Sequence, residues 1–489
     1  MNAPIRNLAI ACLALFVALL VNITVVQFVQ AGDLNDRNGN RRVIDEEFSR
    51  ERGPILVGGE PIAQSVPSDD RFRFQRQYPE GPLYAPITGY FSYVHGNTAV
   101  ERAQNGVLSG SDNRLFVNRV VDLLANNQPQ GGSVELTINA LAQRTAAAGL
   151  EALGAGTKGA VAAIDPETGA ILAMVTQPSY DPNALASHDL GFVDDTMQAL
   201  LADENDPLIN RAADQILPPG STFKLVTAAA AIDQLGLTPD SEVRGGALLP
   251  FPGITYQLPN EGGGDCGGDP ITFQRALSVS CNVSFGDLAG QIGQEALAEQ
   301  AAKFGFGDDI LDGLASTASR FTPPDTTLEA PQLAQSGIGQ FEVAATPLQM
   351  AMVAAGIAND GVVMEPYLVD TVRAPNLRVL EEAEPTEYAE ALTPDQARVL
   401  QAMMVDVVEN GTGASARIGG VQVGGKTGTA QSTPDRPPYA WFVSYAKAGD
   451  QQVAVAVVVE SSSTGRDEIA GGRLAGPIAR SVMQAVLGL

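Results

Sequence analysis

Within PPGSTFKLVTAAAAI, Pro218 to Ile232, a serine and a lysine stand three residues apart, as Ser221-Thr-Phe-Lys224. If a helix begins here, that spacing sets both side chains on one face. Pro218 and Pro219 restrict the approach, Gly220 permits a tight turn, and the uncharged run Leu225 to Ile232 predicts a buried helix. A serine at the first turn sits beside free backbone N–H groups, where developing negative charge is stabilised. Its hydroxyl is a poor nucleophile until the proton is removed. Lys224 can remove it as a neutral amine if burial and a nearby cation lower its pKa. No Asp or Glu lies between Ser221 and Ile232 to hold the ammonium form. Taken alone, Ser221 would serve equally well as a helix cap and Lys224 as a surface residue.

Two further motifs bear on that choice. Ser280-Cys281-Asn282 follows the apolar-patterned segment ITFQRALSV, 56 residues beyond Lys224. It offers a hydroxyl able to relay a proton and an amide able to donate and accept hydrogen bonds, although such a tripeptide has many structural uses. Lys426-Thr427-Gly428-Thr429-Ala430 is more specific. On a strand, Lys426, Gly428 and Ala430 face one way while Thr427 and Thr429 face the other. An edge strand beside a cleft also presents backbone N–H and C=O groups, so a peptide could add alongside it while a Thr hydroxyl and Lys426 attract its terminal carboxylate. Gly428 leaves room for another backbone or a substrate to come close. The chain has only five lysines (Lys158, Lys224, Lys303, Lys426 and Lys447), and these motifs use two.

Other chemistries fit less well. Gly420 to Thr427 matches the phosphate-loop pattern GxxxxGKT, but that motif needs a helix immediately after the loop. Here Gly428, Pro434, Pro437 and Pro438 follow, with a strand expected from Tyr439, so no nucleotide site is expected. Gly411-Thr-Gly413 likewise lacks the strand and downstream acid of a dinucleotide loop. There is no ligand cluster, only two histidines (His95 and His188), and neither a metal nor a cofactor is expected. Cys266 and Cys281 lie beyond the N-terminal apolar segment and could form one disulfide or remain free; Cys12 lies inside that segment.

The elements that must position these groups follow from periodicity. GAVAAIDPETGAILAMV reads as two apolar strands joined by a turn at Asp165 to Gly169, preceded by an Ala- and Leu-rich helix after VELTI. A helical centre runs from Phe223 through segments near Phe273 and Leu348 to Ala355. VQVGGKTGTAQ, YAWFVSYAKA and QQVAVAVVVE return to strands, and GRLAGPIARSVMQAVLGL reads as a closing amphipathic helix. A hairpin and helix before the helical centre, then three strands and a helix after it, predict an α+β domain with one antiparallel sheet built from both ends. That domain is expected over residues 133–489, ahead of which 32–132, polar and broken by Gly and Pro, reads as a small mixed domain. Strand candidates there lie near Gly53 to Val57 and Ile87 to Val94, and a turn is expected at Asn126 to Gly132.

The segment Leu8 to Ala31 carries no charge and is long enough, at 24 residues, to cross about 30 Å of hydrocarbon as one helix. Its length favours a retained anchor over a cleaved signal, with residues 1–7 as a short tail. Arg6 alone precedes it, whereas Arg37, Arg41, Arg42, Arg50 and Arg52 follow, so a positive-inside count argues weakly against placing the bulk outside. The formal charge of −26 makes nucleic acid an unsuitable partner, because such a surface releases no counterions from a polyanion.

SxxK, SxN and KTG, in that order, are the motif set of serine β-lactamases and penicillin-binding proteins. With Arg52-Gly53-Pro54-Ile55, TGYFS at Thr88 to Ser92, DPETGAILAM at Asp165 to Met174 and YDPN at Tyr180 to Asn183, the chain resembles the monofunctional class B penicillin-binding proteins over nearly its whole length, in particular the actinobacterial PbpA type. The resemblance implies a penicillin-binding transpeptidase domain with an all-helical subdomain, on a non-catalytic pedestal of dimerisation type and one membrane anchor. It implies Ser221 as acylated nucleophile, Lys224 as general base, and Ser280 and Asn282 as the second motif. Lys426, Thr427 and Thr429 then form the opposite wall, and the backbone N–H groups of Ser221 and Thr429 the oxyanion hole. The implied substrates are peptidoglycan stem peptides ending in D-Ala-D-Ala, with β-lactams as covalent inhibitors. The implied partners are a multi-span membrane glycan polymerase and division proteins, at the extracytoplasmic face of the cytoplasmic membrane. A D,D-carboxypeptidase, a β-lactamase and a catalytically silent division scaffold are the alternatives.

Overall fold

The computed structural model describes residues 2–30, 41–115, 130–311, 313–323, 325–431, 437–464 and 470–489. An N-terminal helix, α1 (Asn2–Thr24), opens the chain, and residues 4–27 form the one stretch among those described that is long and apolar enough to cross a membrane. The expected span's last residue, Ala31, lies outside the described residues, as do Arg37, residues 126–129 of the expected turn and Pro434.

The small domain is built on a sheet. Strands β1 (Ile55–Val57), β2 (Glu60–Pro67) and β3 (Phe74–Gln77) form its N-terminal part, followed by helix α2 (Gly81–Thr88) and a short helix α3 (Ala99–Ala103). Strand β4 (Ser133–Leu136) then pairs parallel to β1. The expected strand near Ile87 is replaced by the end of α2, which carries Pro82 in its first turn and buries Tyr84, Ala85, Ile87 and Thr88. A short apolar run fits either element, and a proline in the first turn, where its missing N–H costs nothing, favours the helix. Only Phe91–Ser92 of that segment is extended.

The second domain begins with α4 (Ala140–Glu151), whose N-terminus is capped by the Asn139 side chain accepting from Leu141 and Ala142 N–H. The hairpin β5 (Lys158–Ile164) and β6 (Ile171–Gln177) turns at Asp165 to Gly169. Helix α5 (Lys224–Leu235) is buried from Lys224 to Ile232 and ends at Gly236. Around it come a hairpin, β7 (Leu248–Phe251) with β8 (Ile254–Pro259), then α6 (Phe273–Ser278) and α7 (Asn282–Ile292). Helix α8 (Pro347–Ala358) is buried along its whole length. Strands β9 (Val369–Arg373) and β10 (Val379–Glu382) precede α9 (Pro394–Glu409), which opens on a capping box of Thr393 and Gln396. The chain closes with β11 (Gln422–Ala430), β12 (Tyr439–Ala448), β13 (Gln451–Ser461) and α10 (Gly471–Leu487).

The five-stranded antiparallel sheet has the order β11-β12-β13-β5-β6, the predicted union of both ends of the domain. Helices α4 and α10 cover one face and α8 the other, so the central strands are buried on both sides and read as continuous apolar runs. The pedestal sheet has the order β10-β9-β4-β1-β2-β3. The expected division at residues 132 and 133 therefore runs through a sheet that draws β4, β9 and β10 from beyond it. Strand β4 lies between β1 and β9, locking the two parts together through backbone hydrogen bonds.

Candidate active site

The turn Gly220–Thr222 precedes α5 and brings Ser221 to the edge strand β11. Gly220 adopts φ 53°, and a Cβ there would lie 3.0 Å from that of Ala430, so both conformation and space require glycine. Gly428 has the same purpose on the other side, since a Cβ would stand 2.9 Å from Pro219 O. The approach expected at Gly428 is thus made by a second backbone. The Thr222 hydroxyl donates to Pro219 O at 2.7 Å and tightens the turn.

Lys224 is completely buried. Its Nζ lies 2.7 Å from Ser280 O, 3.2 Å from Ser280 Oγ and 2.7 Å from Asn282 Oδ1. Lys426, equally buried, donates to the same Ser280 Oγ at 2.8 Å and to Thr427 O at 2.9 Å. Among the described residues neither amine contacts a carboxylate. Burial, and then the charge of Lys426, pushes the Lys224 pKa well below the ordinary lysine value, against a weaker opposing pull from Glu261. Burial likewise brings Lys426 down to about 7. Ser280 joins the two amines and itself adopts φ 61°, a left-handed conformation that costs a non-glycine residue about 1–2 kcal/mol. That strain places Oγ between them.

Two cavities meet at the nucleophile. The larger, about 770 Å³, is lined by Ser221, Ser280, Thr412, Thr427, Thr429 and Arg473 among others. The smaller, about 360 Å³, is lined by Ser221, Asn282, Thr429, Gln431, Tyr256 and Phe341 among others. Ser221, Asn260, Glu261 and Thr429 border both. The structure thus brings Ser221, Lys224, Ser280, Asn282, Lys426, Thr427 and Thr429 to one place, with β11 at the sheet edge where alternate backbone groups lack a strand partner. A long stem lets the Lys426 amine reach Ser280, although strand alternation starts it on the face opposite Thr427.

Several neighbours were not legible in the sequence. Thr412, from the Gly-Thr-Gly weighed only as a nucleotide loop, shares a 2.7 Å hydrogen bond with the Thr427 hydroxyl. Cys266 and Cys281 form a disulfide, tying the middle residue of the second motif to the glycine-rich segment after Glu261. The phosphate-loop match runs into β11 as extended strand instead of turning into a helix, and the helix N-terminus packed beside Gly428 is that of α10, at Gly471, from much later in the chain. The histidines stand elsewhere: His188 faces Asp70, and His95 lies 3.1 Å from Asp194. Neither lines the cavities.

Comparison with known proteins gives the same organisation. Residues 159–484 match the family described as penicillin binding protein transpeptidase domain, and residues 52–134 match the penicillin binding protein A dimerisation domain. The peptidoglycan D,D-transpeptidase PbpA of Mycolicibacterium smegmatis is 42% identical over 100% of this chain and 99% of its own length. The PbpA of Mycobacterium tuberculosis is 41% identical, over 100% and 99%. Among solved structures, penicillin-binding protein A of M. tuberculosis as its ceftriaxone acyl-enzyme superposes with a TM-score of 0.85 at 39% identity, covering 91% of this chain and all of that one. Its penicillin G acyl-enzyme gives 0.83 at 40%, covering 90% and 100%.

Proposed function

Because the chain belongs to the penicillin-binding protein transpeptidase family, we propose that Ser221 is its acylated nucleophile and Lys224 the base that deprotonates it. The protein is a serine D,D-transpeptidase of peptidoglycan cross-linking, inhibited covalently by β-lactams. The observation that carries the residue assignment is the fully buried Lys224 amine, one helical turn from Ser221, with no carboxylate partner among the described residues. Burial favours its neutral form, which donates two hydrogen bonds and keeps one lone pair for the Ser221 proton. Ser280 Oγ, which accepts from both lysine amines, can take a proton from the newly formed Lys224 ammonium and hand its own onward. The leaving amine receives that proton.

The donor is a stem peptide ending in D-Ala-D-Ala, laid along β11 as an added strand. Lys426, with Thr427 and Thr429, receives its terminal carboxylate, and the backbone N–H groups of Ser221 and Thr429 receive the developing oxyanion. Terminal D-alanine leaves, and a neighbouring stem's amine captures the Ser221 ester where water is poorly placed. Residues 32–132 form the pedestal, its sheet completed by β4, β9 and β10, and the remainder of 133–489 forms the catalytic domain, which lies outside the cytoplasmic membrane on the N-terminal anchor, serving division beside a multi-span glycan polymerase. Incubation of the protein with a β-lactam, followed by intact mass and peptide mapping, should yield one stable adduct on Ser221, absent from Ser221→Ala. An adduct elsewhere, or rapid turnover of the drug, would overturn the assignment.

A further inference from the structure

Cross-linking joins two substrates, and the wall of Lys426, Thr427 and Thr429 suits only the anionic one. On the reading above the second substrate is a primary amine, which arrives at neutral pH as an ammonium. In a cleft where Lys426 carries the charge that holds the donor carboxylate, an incoming cation is repelled unless an anion receives it. Among the described residues, two acids line the cavities. Asp265 borders the larger one alone and accepts a hydrogen bond from Gly267 N–H at 3.1 Å. Glu261 borders both, alongside Ser221. It is exposed, and among the described residues its carboxylate makes no hydrogen bond or ion pair.

The backbone beneath Glu261 is fastened although the side chain is not. Asn260, buried, donates from Nδ2 to Gly246 O at 2.8 Å and Gly264 O at 3.0 Å, and its Oδ1 accepts from Val283 N–H at 3.0 Å. Val283 directly follows Asn282. On the other side of Glu261, the Cys266–Cys281 disulfide holds the segment to the residue between Ser280 and Asn282. Both attachments run to the second motif, so the backbone that carries Glu261 is tied to the site while its carboxylate stays open to an arriving group. A carboxylate with a structural role is paired, as Glu101 is by two guanidiniums in the pedestal.

We propose that Glu261 receives the acceptor's ammonium and holds it beside the Ser221 ester, setting the preference of the deacylation step for a cationic amine over water. This rests on the transpeptidase reading. The held ammonium gives one proton to the uncharged Lys224 amine. Its nitrogen lone pair then adds to the ester carbonyl carbon, the bond from that carbon to Ser221 Oγ breaks, and a second proton passes from nitrogen to Oγ. The new amide keeps the third, and Lys224 returns its proton to solvent. Glu261 gives and takes no proton. Across the cleft its charge also discourages the donor carboxylate from lodging at the wrong wall.

The test uses the full-length protein in detergent with a D-alanyl thioester donor and a D-amino acid acceptor, and reads the ratio of aminolysis to hydrolysis. Both products come from one acyl-enzyme, so changes in acylation cancel in the ratio. Glu261→Gln should lower it about fivefold, the scale of one partly exposed ion pair, and Glu261→Asp should restore most of the loss. Raising ionic strength should lower the ratio in wild type, a readout that needs no variant. An E261Q ratio equal to wild type overturns the proposal, as does a loss of total thioester turnover with the ratio unchanged, the signature of a merely structural role. If wild type gives hydrolysis alone, the transpeptidase reading falls and this proposal with it.

Discussion

The pedestal and the catalytic cleft each bury cations, with opposite consequences. In the pedestal, Glu101 is wholly buried between Arg52 and Arg76, at 2.6 and 2.7 Å, and also accepts from Tyr78 OH at 3.1 Å. Burial pushes the Glu101 pKa up, but the two guanidiniums more than offset it and hold the group below its ordinary value. Arg52 also lies over the Phe91 ring at 4.3 Å, and Arg76 donates to Gly53 O at 2.8 Å. Charge stays charged there, because each ion has partners. In the cleft the two lysine amines donate to hydroxyl, amide and carbonyl oxygens. Among the described residues no buried anion holds their protons. Paired burial makes a structural brace, whereas unpaired burial of an amine makes a base.

The largest expected effect breaks the cleft's half of that contrast. Lys224→Ala should slow acylation by a fluorescent penicillin about 10³-fold, and Lys224→Arg should be no better, because a guanidinium cannot give up its proton at neutral pH. A second-order labelling rate checks both; an active K224R would refute the base assignment. In the pedestal, Glu101→Gln leaves two buried guanidiniums uncompensated. It should destabilise that domain by about 3–5 kcal/mol, read as an earlier unfolding transition in denaturant. Labelling per folded molecule should hardly change, since Glu101 lies in another sheet's domain. Unchanged stability would mean that water already reaches the pair.

The same contrast governs what the sequence could reveal. Ser221 and Lys224 are neighbours in the chain, so their chemistry was legible locally, and Lys426 stood out because lysine is scarce. The central sheet was legible because β5, β6 and β11 to β13 are apolar runs bounded by turn residues. Glu101 and Arg76 carried no signal: they lie 25 residues apart and meet only once the fold is made. The order of the pedestal sheet was hidden for a similar reason, as β4 and β9 pair across more than two hundred residues. Thr412 was weighed only as part of a dinucleotide loop that the sequence excluded, and its partner Thr427 is set by packing. Glu261 sits in an acidic, glycine-rich stretch resembling any surface turn, and only the disulfide reveals its anchor.

A pH titration separates the two regions more finely. Lys426, with a pKa near 7 through burial, must be protonated to hold a substrate carboxylate, whereas Lys224 must be neutral to accept the serine proton. The rate constant kcat/KM, or the labelling rate for a carboxylate-bearing β-lactam, should therefore rise with pH as Lys224 loses its proton. It should fall above about pH 7, by up to about tenfold per unit, as Lys426 loses its own. Both limbs belong to the free enzyme, before the ligand carboxylate pulls the Lys426 pKa upward. Between pH 6 and 9 the Glu101 brace should not respond, because Glu101, held below its ordinary pKa by the two guanidiniums, stays ionised and the guanidiniums stay charged. Lys426→Arg sharpens the test. A guanidinium cannot deprotonate in this range, so whatever activity K426R retains should keep its acid limb and lose the alkaline one; an alkaline limb that survives belongs to some other group, and the carboxylate-binding cation would have to be sought elsewhere.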